Sequence, residues 1–199
     1  MPNEWNLIIG DALFNFRASL DYLAWQLFQR GTEAHTHKPE LVSWPIIGKQ
    51  TDATSAFKGR LPGLLPHHQT LAEACQPYTG EPGKLHPLTI LNDLSRQDKH
   101  RQIVMVLAAH KEYTIRGSLR HFRCERSVLP SSEKPVPLKP GTELVTWYGK
   151  RTDDHEPEMD VHFEGTTGIA FENGLWVLEV LARIEERIGN ILANFEPLM

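Results

Sequence analysis

Gly10-Asp-Ala-Leu-Phe-Asn-Phe-Arg-Ala-Ser-Leu-Asp-Tyr-Leu-Ala-Trp-Gln-Leu-Phe-Gln-Arg30 is the stretch whose reading decides the fold. On a helical wheel of about 100° per residue, its leucines, phenylalanines, alanines and Trp25 fill an arc of roughly 220°. A surface helix needs an apolar stripe only about 100° wide. The stretch therefore predicts a long helix, from near Glu4 to Arg30, enclosed on most sides and ended by a left-handed Gly31. Two charges, Arg17 and Asp21, interrupt the apolar arc one helical turn apart.

A second long segment, Leu88 to Ala109, follows Pro87 and repeats the pattern. Ile90, Leu91, Met105 and Ala108 gather around Leu94, and Asp98 and Arg101 fall in the same apolar arc. Lys99 and His100 project to its flanks. A lone buried charge is costly, so such groups are expected to meet partners. The economical packing places the two faces together, with Arg17, Asp21, Asp98 and Arg101 as one compensated cluster. Asn15, Asp11 and Lys99 are its neighbouring polar candidates. Such a cluster serves either as a specificity device in the core or as the floor of a polar ligand site.

The chain closes with a third helix. Val177, Leu181, Ile184, Ile188, Ile191 and Phe195 recur at helical spacing, and Glu179, Arg183, Glu185, Glu186 and Arg187 cover the other side. It packs beside the first helix or across a sheet; a helix-mediated homodimer is an open alternative. Residues 111–172 read as a small antiparallel sheet. Glu112 to Arg126 is one strand bent at Gly117, and Glu143 to Tyr148 is another. Met159–Glu164 and Gly168–Glu172 form a hairpin around Gly165. Leu41 to Ile47, with Pro45, is an edge strand or an extended segment packed on the core. The fold class is α+β in one domain, helical over 1–110 and 174–199 and β over 111–172.

Composition narrows function by exclusion. The chain has 199 residues and a formal net charge of -4, so no global basic field draws it to nucleic acid or anionic lipid. Arg116, Arg120, Arg123 and Arg126 with His121 suit a solvated sheet face better than a nucleic-acid surface. The amino terminus lacks a basic leader, and Asp11, Arg17 and Asp21 break the first apolar segment, so no secretory signal and no membrane span is expected. The two cysteines, Cys75 and Cys124, read as buried reduced thiols of a cytoplasmic protein. No GxGxxG, Walker A, GxSxG, HExxH or CxxC signature is present, and no cofactor is expected. His35 and His37 form an HxH pair with no third ligand nearby, a weak metal candidate.

The Gly10–Leu27 stretch, Gln76-Pro-Tyr78 and Asp98-Lys-His-Arg101 together resemble a group of uncharacterised bacterial proteins, over most of the chain. The resemblance implies a bacterial origin, an architecture and candidate positions, not an activity. A looser resemblance is to HEPN-like helical domains, which often act as ribonucleases in toxin and defence systems. Their signature is a helical Arg followed by four to six residues and a His. Arg96 to His100 has three intervening residues and Arg101 to His110 has eight. Arg116 to His121 has the right spacing but falls in a strand.

Two function classes follow. One is a non-catalytic binding or interaction module, its Arg17/Asp21/Asp98/Arg101 cluster meeting a small polar ligand or a protein partner. The other is a HEPN-like nuclease, with His100 as general acid–base and Arg101 stabilising a phosphoryl oxyanion. Access discriminates them, because a nuclease needs His100 at the mouth of a positively lined cleft.

Overall fold

A computed structural model describes residues 3–32, 38–81, 85–100, 105–128, 136–138, 141–143, 145–171 and 173–198. The helices are α1 (Asn3–Gln29), α2 (Ala53–Arg60), α3 (Pro66–Ala74), α4 (Pro87–His100) and α5 (Val177–Phe195). The strands are β1 (Met105–Arg120), β2 (Phe122–Val128), β3 (Val136–Pro137), β4 (Thr146–Arg151) and β5 (Glu158–Phe171). The fold is α+β, as the sequence predicts. It divides into two compact units, a β unit over Val104–Leu178 and a helical unit of Pro2–Ile103 with Glu179–Met199.

In the helical unit, Leu13, Leu20, Ala24 and Leu27 of α1 are fully buried. They share the core with Leu88 and Leu91 of α4 and Ile184, Ile191 and Phe195 of α5. The enclosure of α1 is less complete than its wheel suggests. Phe14, a member of the apolar arc, is exposed, as are Tyr22 on the polar remainder and Leu7 and Ile8 before the stretch. Gly31 ends the helix without a left-handed backbone; positive φ falls instead at Gly63. A Cβ on Gly31 would sit 2.6 Å from the Gly63 carbonyl oxygen, so close backbone approach is what calls for glycine there. Thr32 N–H donates to the same carbonyl at 2.9 Å.

Helix α4 is described over Pro87–His100, and it does not run on to Ala109 as the sequence suggests, because Met105 already belongs to β1. Ile103-Val-Met-Val-Leu107 is a continuous apolar run that periodicity cannot assign, and its described residues, Met105, Val106 and Leu107, belong to the strand. Residues 42–47 form the extended segment expected around Pro45, in no sheet, with Trp44 fully buried. Trp44 meets Phe195 edge-on, with centroids 5.9 Å apart.

The β unit holds a three-stranded antiparallel sheet of order β3-β1-β5 and a two-stranded β2-β4 sheet. Glu158–Phe171 is one long strand paired along β1, not a hairpin around Gly165. Gly165 and Gly168 pair with Tyr113 and Ala108 in the ladder. A Cβ on Gly168 would lie 2.8 Å from the Trp176 ring, so that glycine makes room for an indole, not a turn. The break in the arginine-rich strand lies at His121, which has φ 58, and Gly117 stays in the ladder opposite Val161. Cys75 is buried, but Cys124 is exposed in β2, against the expectation of two buried thiols.

Candidate functional site

The Arg17–Asp21 pair of α1 is half-buried and committed to backbone. Arg17 Nε and Nη2 donate to Asp21 Oδ2 and Oδ1 at 3.2 and 3.1 Å. Arg17 Nη2 also donates to the Trp44 carbonyl at 2.6 Å, and Trp44 N–H donates to Asp21 Oδ1 at 2.8 Å. A segment crossing a core outside any helix or sheet must satisfy its peptide groups locally. Here one ion pair supplies both a donor and an acceptor to one residue. Gln76 supplies an acceptor to the segment further along and ties it to α3. Its fully buried amide accepts Ile47 N–H at 3.0 Å and donates to the Ala72 carbonyl at 3.0 Å. Ser43 N–H donates to the Arg60 carbonyl at 3.2 Å. Thus Arg17, Asp21 and Gln76 hold the extended segment in place.

This leaves a cavity of about 520 Å³ lined by α1 and α4. Leu13, Phe14, Arg17, Ala18, Asp21, Tyr22 and Trp25 come from α1, and Ser95 and Asp98 from α4. Phe14, Ala18, Tyr22 and Trp25 recur every three or four residues and so share one helix face. Phe14 is 66% exposed and Tyr22 73%, which places two aromatic rings in reach of solvent on that face. Ser95 and Asp98 are one turn apart on α4 and look the same way. Ser95 Oγ is buried and meets no hydrogen-bond partner among the described residues. Asp98 is exposed, not buried as its place in the apolar arc suggests; among the described side chains of α4 the last buried one is Leu94, one turn earlier. Its carboxylate rests on Gly10, where a Cβ would stand 3.0 Å from Oδ1. Glycine at position 10 thus lets α4's last turn come close to α1.

Arg17, Asp21 and Asp98, three of the residues selected from sequence, line one cavity, but among the described residues no ion pair joins Asp98 to the other two. Asp11 and Asn15 are exposed on α1 away from that lining, and Asn15 offers only its carbonyl, to Ser19 Oγ at 2.9 Å. Lys99 and His100 end α4, with side chains outside the described set. Arg101, His35 and His37 lie outside the described residues altogether. Trp44, Gln76, Ser95 and the three aromatic rings were not selected from sequence as site residues. The Phe14/Tyr22/Trp25 spacing was the available signal, hidden because Phe14 and Trp25 belong to the apolar arc and Tyr22 to the polar remainder.

Electrostatically the lining sets one guanidinium, already bonded to Asp21 and Trp44, against two carboxylates. A cavity of this size with mostly apolar walls and a few convergent polar groups suits a small molecule. Its polar groups favour a hydrogen-bond donor bearing positive charge. Compared with family models, curated proteins and solved structures, the chain finds no match.

Proposed function

We propose that this protein is a non-catalytic binding module of the bacterial cytoplasm whose α1–α4 cavity takes a small aromatic or aliphatic amine. The observation that carries this reading is the buried Ser95 Oγ, without a hydrogen-bond partner among the described residues, in a cavity shared with Asp98, Phe14, Tyr22 and Trp25. The carboxylate meets the ammonium, the serine hydroxyl takes a further hydrogen bond, and the rings cover the apolar body and favour the cation. No helix among the described residues is long and apolar enough to cross a membrane.

The HEPN-like ribonuclease reading calls for a positively lined cleft. The described lining, with two carboxylates and a committed arginine, disfavours a phosphate backbone. The test is a titration of the purified chain with 2-phenylethylamine and with 3-phenylpropionate, followed by Trp fluorescence. The amine binds in preference, and Asp98→Asn weakens it about ten-fold or more, the loss of one charge-assisted hydrogen bond. Ala18→Leu, which fills the cavity, also removes binding. Equal binding of the two probes, or an amine affinity unmoved by both substitutions, refutes the proposal. RNA cleaved by wild type but not by His100→Ala would establish the nuclease instead.

A further inference from the structure

The β unit carries a second cluster that the helical cavity does not involve. His121 stands at the corner between β1 and β2, and Asp153 and His155 lie in the loop that follows β4. Pairing of Phe122 with Arg151 brings corner and loop together, and Thr152 N–H donates to the His121 carbonyl at 3.1 Å. Asp153 Oδ2 lies 2.7 Å from His121 Nδ1, and Asp153 Oδ1 lies 3.2 Å from His155 Nδ1. The His155 backbone N–H donates to Asp153 Oδ1 at 2.9 Å, which fixes the carboxylate over its own loop. The imidazole centroids are 4.8 Å apart. His121 is the one non-glycine residue with positive φ among those described, at the point where the chain turns from β1 into β2.

We infer that His121, Asp153 and His155 form a binding site for a divalent transition metal of the zinc class. Two imidazoles and one carboxylate are a donor set zinc takes at open, three-ligand sites. Bonds of about 2.0–2.1 Å around a tetrahedral ion put neighbouring donors about 3.3–3.4 Å apart. One donor atom from each residue already lies within 4.8 Å of the others, so small side-chain movements close the set. Without metal, the Asp153 carboxylate holds the two rings by hydrogen bonds. Coordination through Nδ1 replaces those bonds and leaves the ring proton on Nε2. The fourth position is free for water or a ligand. The segment Asp153-Asp-His-Glu-Pro-Glu158 concentrates negative charge around the site, which favours a cation over an anion. The cluster is exposed enough for entry, His155 most of all at 76%.

The test is calorimetric titration of the full chain with zinc, and visible absorption with cobalt, at pH 7.5. The wild type, Asp153→Asn, His155→Ala and a His35→Ala/His37→Ala control are compared. Wild type and control bind one ion per chain, and cobalt gives the intense absorption of a low-coordinate nitrogen-ligated ion. Asp153→Asn and His155→Ala each weaken binding by about a hundred-fold or more, since each removes a direct ligand where outer partners alone are worth 10–100-fold. Circular dichroism accompanies each variant. If Asp153→Asn disturbs the fold, His155→Ala decides, because that exposed ring bonds only within the cluster. Absence of stoichiometric binding by wild type overturns the assignment. So does wild-type affinity in folded His155→Ala, or loss of binding in the His35/His37 control alone.

Discussion

Asp21 on the first helix accepts the backbone N–H of Trp44, 23 residues further along the chain, at 2.8 Å. Its partner Arg17 donates to the carbonyl of the same tryptophan. An ion pair on the apolar arc of a helix thereby finds backbone partners in the extended segment. The pair substitutes for the sheet or helix partners that residue 44 lacks.

Asp21→Ala removes one acceptor from Trp44 and leaves Arg17 with the carbonyl alone. The cost is about 1–3 kcal/mol, the usual range for a hydrogen bond to a charged group and an orphaned buried donor. Urea denaturation measures it. Asp21→Asn, which keeps an acceptor for Trp44, costs less.

Gln76→Met keeps the volume of a fully buried side chain and removes both of its hydrogen bonds. It strands Ile47 N–H and the Ala72 carbonyl, for a loss of about 1–3 kcal/mol by the same measurement. A hydrophobic replacement in a core is ordinarily tolerated, so destabilisation here identifies the amide as the functional part.

Stability falls in mild acid through two histidines. His68 is 1% exposed, with neither ring nitrogen hydrogen-bonded among the described residues. Burial, then His67 and then Arg30, push its pKa below the usual 6.5. His86 Nδ1 accepts Leu88 N–H at 3.2 Å, and burial, Arg187 and Arg183 push its pKa down as well. In both, the unfolded chain takes up a proton at a higher pH than the folded one. Their contribution is complete above about pH 6.5 and is lost as pH falls from there toward the lowered folded values. A series of melts from pH 7.5 to 5 shows the decline, and His68→Leu flattens it.

Gly10→Ala separates stability from binding. Alanine is worth up to about 1 kcal/mol over glycine within a helix. Its methyl group meets the Asp98 carboxylate, which is exposed and free to move aside. The variant therefore melts no lower than wild type, while its affinity for 2-phenylethylamine falls because Asp98 has shifted.

Much of the fold was legible in the sequence, for identifiable reasons. Strong periodicity located α1, α4 and α5, and Pro45 marked the extended segment correctly. The Ile103–Leu107 run misled because continuous apolar residues carry no period. Gly165 and Gly168 looked like a turn, although one of them serves the Trp176 ring and both sit within a ladder. The polar cluster was legible as a need for partners, not as their identity. Backbone groups of Trp44 leave no mark in a side-chain pattern, so their part in satisfying the Arg17–Asp21 pair was not readable. The His121 cluster was passed over because His121 and Asp153 stand 32 residues apart and only strand pairing joins them.

Amide hydrogen exchange at Trp44, in wild type and in Asp21→Ala, tests the backbone role of the Arg17–Asp21 pair most directly. Strong protection of that N–H is expected in the wild type. In the variant, exchange at Trp44 rises by about ten-fold or more relative to the amides of Leu20, Leu23 and Leu27 in the buried face of α1. Equal protection of Trp44 in the two proteins would contradict that role and return Arg17 and Asp21 to the ligand site.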